Sequence, residues 1–519
     1  MSKYIIGIDS GTSVVKAAIF NMRGEQLLVN ARNTPVIEET FGWSEYDLNR
    51  DWEETRLCLK ELMEKAAAEN ITPDQIVAVG VGGKGQGVGL LDKEMKPLRN
   101  AILWNDSRCS DMKNEWIKPN GIMEQIHEIS GNWLYSGNIL MLLPWLKMNE
   151  KEILDQAVTI TMPTSWLSYK MTNQHKICKT DMFSVIDRKT REISEEVFRI
   201  IDIEDYRSLF PQPIETWEVT GSVTEEVAAY TGIPAGVPVV NMGWDVVCCT
   251  AGVGVIEDGQ ANMIMGTSGV ISVVMPFAPS IPKRLGGMSV HVMPGKWGQL
   301  IAPMTVTPNL DWFVDNFAYE DKKRAEEEER SVYEIFDEEV SKVPVGANGV
   351  IYHPYMSPAG ESAPFTNTDC RANFIGLLPH DNRHVMLRAI YEGVAMSFKH
   401  CIDAYDYPVS EIRLSGGGSN SPVWCQIMSD VCNAEISLVD GTEFGAKGVA
   451  WNAAYVTGEF DSLKDACNAF CKKTKIYQPN PDAVDKYKDL MELYKEVPKA
   501  MENIWEKRMQ FVRKYDVKG

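Results

Sequence analysis

The chain has 519 residues, of which 44% are hydrophobic, a formal net charge of −20 and a sequence pI near 4.9. That length exceeds what one hydrophobic core supports, so two domains are the minimum expectation, and the apolar content excludes a disordered chain. The acidic balance argues against a nucleic-acid or anionic-membrane surface, and any anionic substrate would need a local cationic group or a metal ion.

The eleven cysteines are odd in number, include the adjacent Cys248 and Cys249, and form no Cys-x-x-Cys pair. This pattern fits reduced thiols in a cytoplasmic protein better than a disulfide framework. Met1 to Tyr4 runs straight into a strand with no signal peptide expected ahead of it, and the apolar run Ile139 to Trp145 is too short to span a bilayer.

Tyr4 to Phe20 reads as two apolar strands joined by Asp9-Ser10-Gly11-Thr12-Ser13. Small residues at such a turn let a phosphate approach backbone N–H groups, so Gly11, Thr12 and Ser13 are candidate phosphate contacts. Asp9, ending the first strand, can face a hydrated Mg²⁺ carried by that phosphate. An ordinary hairpin turn uses the same residue types. Glu25 to Val29 is a third antiparallel strand. Asp51 to Asn70 has helical periodicity with Trp52, Leu59, Leu62, Met63, Ala66 and Ala67 on one side, and Ile76 to Val79 is a buried strand.

Gly80 to Gly85 forms a formal Gly-x-Gly-x-x-Gly. A dinucleotide site would need a helix directly after it, whereas Val88 to Leu91 reads as another strand. The excess of glycine suggests close approach of a ligand to the backbone, with Lys84 and Gln86 as the only long polar side chains there. Ala101 to Arg108 reads as a short buried strand ending in polar groups beside an aromatic ring. Trp104 could stack on a sugar face while Asn105, Asp106 and Arg108 bond hydroxyls, the alternative being a core Trp104 with an Asp106–Arg108 cap or ion pair.

Residues 110 to 235 are mostly helical in pattern and mark no chemistry. Val237 to Asp245 is a strand ending at an acid where the two halves would meet, which makes Asp245 a candidate catalytic carboxylate. Ala261 to Met275 repeats the first hairpin around Gly266-Thr267-Ser268-Gly269. The recurrence suggests a duplicated architecture holding a nucleotide between two lobes. Thr305 to Leu310 reads as a loop and Asp321 to Arg330 as a charged, solvated helix. His380 and His384 read as a helix-start and surface pair and not as metal ligands. Glu411 to Gln426 gives a strand, the glycines Gly416 to Gly418, then a helix capped by Ser421 with Pro422 at its first position. An adenine or α-phosphate could lie on those glycines. No Walker-type Gly-x-x-x-x-Gly-Lys-[Ser/Thr] occurs, and Pro481 to Gly519 reads as charged surface helix.

Taken together, these stretches resemble the FGGY carbohydrate kinases of the actin, Hsp70 and sugar-kinase superfamily. The resemblance covers nearly the whole chain. It rests on Ile8 to Ser13, Leu90 to Asp106, Gly243-Trp244-Asp245, Gly266-Thr267-Ser268 and the Ser-Gly-Gly-Gly block with Trp424 and Gln426. Gly376 to Gly393 adds a further matching stretch, with Val385 where relatives usually carry a polar residue. The resemblance implies an α/β chain of two ribonuclease-H-like domains with a cleft between them. It divides the chain into a sugar-binding lobe (1–244), a nucleotide-binding lobe (245–480) and a C-terminal helical extension (481–519).

The resemblance also implies ATP and Mg²⁺, with Asp245 as catalytic base and Asp9 as the Mg²⁺-associated acid. Gly11, Thr12, Gly266, Thr267, Gly417 and Gly418 fall on phosphate- and nucleotide-contacting turns. Gly85, Gln86, Trp104, Asp106 and Asn309 match acceptor-pocket positions. The loop Gly83 to Gly87 lacks the Arg-Glu pair of glycerol kinases and the Gln-Met-His of D-xylulose kinases, and looks more like L-xylulose and erythritol kinases. A five-carbon ketose is therefore expected first, with a four-carbon polyol as the alternative. The partner is a small sugar or polyol, not a nucleic acid or a membrane, and a homodimer stays open. A nucleotide-dependent chaperone and a sugar sensor are the rival classes; the chain has neither a peptide-binding β-domain pattern nor a basic helix-turn-helix start.

Overall fold

The computed structural model describes residues 2–119, 121–278, 286–405 and 407–515. Alternating apolar residues build a first sheet from β1 (Tyr4–Ser10), β2 (Val14–Asn21), β3 (Gln26–Asn33), β4 (Ile76–Gly83), β5 (Val219–Ser222) and β6 (Pro238–Trp244), in the order β3-β2-β1-β4-β6-β5. Strands β1, β4 and β6 run parallel at its centre, and β2, β3 and β5 are antiparallel flanks.

The second sheet uses β7 (Gln260–Met265), β8 (Gly269–Met275), β9 (Gly287–Val290), β10 (Trp297–Ile301), β11 (Glu411–Ser415), β12 (Glu435–Val439) and β13 (Lys473–Tyr477). Their order is β9-β10-β8-β7-β11-β12-β13. Each sheet thus opens on an antiparallel hairpin and continues through parallel strands, as the duplicated hairpins predicted.

On one face of the first sheet lie α1 (Leu48–Ala68), α2 (Pro163–Thr172) and α3 (Glu225–Thr231). Asp47 caps α1 by accepting from Asn49 and Arg50 N–H, and its buried stripe runs through Trp52, Leu59, Leu62, Met63 and Ala66. Ala67, expected on that side, is exposed.

The other face carries α4 (Asp245–Gly252). The second sheet is backed by α5 (Thr307–Phe317), α6 (Arg383–Ile402) and α7 (Pro422–Cys432). Two further helices, α8 (Phe444–Tyr455) and α9 (Leu463–Phe470), follow β11 and β12 in the chain, yet share a core with Ile5, Ala18, Phe20 and Ala78 of the first sheet. A Cβ on Gly7 would stand 2.0 Å from the Ala446 carbonyl oxygen and one on Gly80 would stand 2.2 Å from that of Val449. Only glycine lets α8 lie directly on β1 and β4. Residues 444–470 thus cover the first sheet.

Other expectations change as well. Only Ala101–Ile102 of the segment 101–108 is strand. The segment 305–310 is not a loop, since α5 begins at Thr307. Asp321 lies in the expected charged helix (Tyr319–Glu327) but is 2% exposed, accepting from Arg383 and His384. The C-terminal segment is a helix, α10 (Pro481–Tyr515), and it is more than surface: Tyr487, Met491, Tyr494 and Trp505 are buried, and the Tyr487 hydroxyl reaches Glu392 at 2.7 Å. Among the described residues no helix is long and apolar enough to cross a membrane.

Candidate active site

The carboxyl-bearing residues converge because parallel strands end on one edge. β1 ends beside Asp9, β4 leads into the Lys84-Gly85-Gln86 loop, and β6 delivers Asp245 to the first turn of α4. Burial, then the negative charge of Asp9, raises the Asp245 carboxyl to about 7, opposed by the Val246 N–H and Lys84. Burial likewise raises Asp9 to about 6, with Lys16 and Lys84 opposing and Glu443 adding to the shift. Asp181 is raised to about 7 by burial against the Thr164 hydroxyl. Its charge is felt at Asp245 too, so three acids crowd one region.

Two of them fit a divalent cation. Asp9 and Asp245 are partly accessible carboxylates whose mutual repulsion a hydrated Mg²⁺ would relieve, and carboxylate oxygen is the donor such an ion takes. Among the described residues no group of three or more His, Cys, Asp or Glu is placed to hold a metal ion by itself.

The predicted site residues divide into open and closed sets. In the first hairpin Gly11 N–H donates to Val14 O (2.9 Å), and the Thr12 hydroxyl accepts from Trp104 Nε1 (3.1 Å). Ser13 is exposed, with its carbonyl taken by Thr34 N–H. In the second hairpin the carbonyls of Gly266 and Thr267 accept from Thr307 and Val306, while no hydrogen bond to another described residue uses the N–H of Thr267 or Ser268. Gly417 has nothing within 4 Å of where a Cβ would sit, and Gly418 rests against Met265. Gly416, Gly417, Thr442 and Phe444 line a cavity of about 310 Å³.

On the acceptor side Trp104 is 45% exposed and sets its ring edge-on to Tyr135 at 6.5 Å. Gly85 lies under the Trp244 ring, which a Cβ would meet at 2.5 Å. Gln86 is buried with φ near +61°, donating to Asp181 O (2.7 Å) and accepting from Asn138 (2.9 Å). Its side chain therefore fixes the loop.

Asp106 and Asn309 depart from expectation. Asp106 accepts from Ser44 N–H and from Arg108, so the internal ion pair describes it, with Arg108 stacked 4.0 Å from the Trp43 ring centroid. Asn309 sits inside α5, donating to the Thr305 and Val306 carbonyls and accepting from the Tyr352 hydroxyl. Both have internal hydrogen-bond partners.

Two residues of the segment that marked no chemistry join the site. Asp181 lies under the Gln86 loop, and Gly243 leaves room for its carboxyl, which a Cβ there would meet at 3.0 Å. The Tyr135 hydroxyl is raised by burial and by the charges of Asp245 and Asp181, and its ring meets Trp104 edge-on. No periodicity or turn signal distinguishes either residue in the sequence.

Twin sheets, each opened by a glycine hairpin, with acids at the strand ends and a glycine-lined cavity beside them, define an α/β phosphotransferase of two lobes. Residues 4–252 match the N-terminal domain and residues 261–457 the C-terminal domain of the FGGY family of carbohydrate kinases. The chain belongs to that family and is a carbohydrate kinase.

It is 29% identical to a xylulose kinase of Bacillus subtilis over 95% of this chain and 96% of the relative. Identity to a probable L-xylulose kinase of Haemophilus influenzae is 27%, over 96% and 99% of the two chains. The crystal structure of a xylulose kinase from Rhodospirillum rubrum superimposes with a TM-score of 0.85 at 24% identity, over 97% of this chain and 100% of that one, which shows the shared fold.

Proposed function

We propose that this carbohydrate kinase transfers the γ-phosphoryl group of ATP to a primary hydroxyl of a small sugar, a five-carbon ketose such as L-xylulose. The observation that carries the reading is Asp245 at the end of β6, in the field of Asp9 and beside the Gly85-Gln86 loop. Its raised carboxyl value brings it closer to the pH at which a general base works. The five-carbon relatives and the small-residue loop Gly83 to Gly87 support the choice of acceptor.

Phosphoryl transfer asks the protein for alignment and charge stabilisation. Asp245 would orient the acceptor hydroxyl and take its proton, with Trp104 and Tyr135 walling the sugar. Thr267 and Ser268 N–H groups and the Gly417 turn would hold the triphosphate. A Mg²⁺ arriving with it would be met by Asp9 and would neutralise phosphate charge. Phe183 stacked on Trp244 at 4.7 Å would help keep water from the reacting hydroxyl.

ADP release measured across a panel of ketoses and polyols tests this. L-Xylulose is expected to give the highest kcat/KM. ATP turnover that no sugar or polyol stimulates would sink the proposal.

A further inference from the structure

Away from the cleft, α1, α2 and α3 enclose a cavity of about 330 Å³ lined by Trp52, Arg56, Lys170, Asn173, Glu226 and Tyr230, among others. Its cations are unusually under-used for a chain of net charge −20. Lys170 has no carboxylate partner among the described residues, and its ammonium lies 5.4 Å from the Trp166 ring centroid. Arg56 pairs with Glu53 through Nη2 and stacks 4.2 Å from the Tyr230 centroid, but its Nε is buried without a partner among the described residues. Lys60 Nζ is 5.7 Å from the same ring. A buried donor on a charged group left unpaired costs free energy, and an oxyanion is what both cations would accept. The Trp52 and Tyr230 rings offer apolar surface for the body of the molecule.

The two long helices that flank this cavity also end at the acceptor loop. Asp51, next to Trp52 on α1, holds Lys84 Nζ at 2.9 Å, with both side chains buried. On α2, which carries Lys170, Thr164 donates to Asp181 at 2.7 Å, and Asp181 in turn accepts from Gln86. Trp166 Nε1 ties α2 to α1 at Leu48 O (2.6 Å). We propose that this cavity is a second binding site, taking a small organic oxyanion between Arg56 and Lys170, and that its occupant biases the Lys84-Gly85-Gln86 loop.

The test titrates benzoate and, separately, phenyl phosphate into the ADP-bound protein by calorimetry, which does not depend on the kinase reading. One saturable site is expected, and the tighter probe tells a carboxylate from a phosphate ester. Arg56→Gln and Lys170→Met should each weaken it at least about tenfold, the loss of one charged hydrogen bond. ADP affinity and circular dichroism should stay at parental values. Glu226→Gln, which removes a competing negative charge, should tighten binding about threefold. Failure of both probes to bind below about 10 mM, or equal binding by parent and both variants, would overturn the site. The coupling rests on the kinase reading: saturating probe should shift the acceptor KM at least twofold in the parent and not in Lys170→Met, and an unchanged parental KM would remove it.

Discussion

The two glycine hairpins share a local sequence pattern and end in different states. The first is closed at its side chains: Thr12 is tied to Trp104, and Lys84, whose N–H donates to Ser10 O, buries its ammonium against Asp51, while Ser13 is exposed and the Thr12 and Ser13 N–H groups bond no described residue. A Cβ on Gly445 would stand 2.2 Å from Asp9 Oδ2, so α8 presses on the acid itself. The second is open, with Thr267 and Ser268 exposed and a cavity of about 310 Å³ at the neighbouring Gly416 turn. One turn holds an acid among packed side chains and the other carries none, so repetition in sequence does not mean repetition of every contact.

The sharpest way to break the closed turn is Lys84→Met, which strands Asp51 as an uncompensated buried charge. A loss of about 3–5 kcal/mol in denaturant unfolding is expected. Asp245→Asn leaves both turns in place and removes the proton acceptor. It should lower kcat by at least about a hundredfold while ATP binding, followed by calorimetry, stays near the parental value.

The open side is probed by neighbouring glycines. Gly416 has φ near +88° and a Cβ would stand 2.7 Å from Met265 O, so Gly416→Ala should destabilise by about 1–3 kcal/mol. Gly417→Ala meets no protein atom; it should leave Tm unchanged and raise the KM for ATP about tenfold, close to 1.4 kcal/mol.

Acid loss of activity can be separated from unfolding at His291. His291 is buried, its Nε2 lacks a well-formed hydrogen bond among the described residues, and burial with the Lys296 charge, opposed by the Val255 backbone, lowers it from 6.5 to about 3. The folded chain then binds fewer protons than the unfolded one, so the stability from this group is complete above pH 6.5 and falls as the pH drops toward 3. His291→Asn should flatten the decline between pH 6.5 and 4 by at most about 1.4 kcal/mol per pH unit, read from thermal melts.

Much of the placement of the candidate residues at strand ends and turns was legible because those signals are local. Asp9 and Asp245 stand where an apolar alternation stops, and Gly417 follows a strand and precedes a capped helix. Trp104 was legible as an aromatic among polar neighbours, and it keeps an exposed face. Asp106 and Asn309 carry the same kind of local signal, yet Arg108, Ser44 and Tyr352 consume their polar atoms, and those partners are set by packing. Asp181 and Tyr135 show the reverse, being unmarked in the sequence and brought to Asp245 by the tertiary fold.

By itself the amino-acid sequence determined the two hairpins, the parallel strands behind them and the acids at their ends, because turn chemistry and side-chain alternation act over a few neighbouring residues. The tertiary structure alone decided that residues 444–470 cross back onto the first sheet, that α10 buries Tyr487 and Trp505, and that Asp181 lies beneath Gln86. Those outcomes depend on which apolar faces remain to be covered once the sheets exist, a property of the assembled surface and not of any one segment.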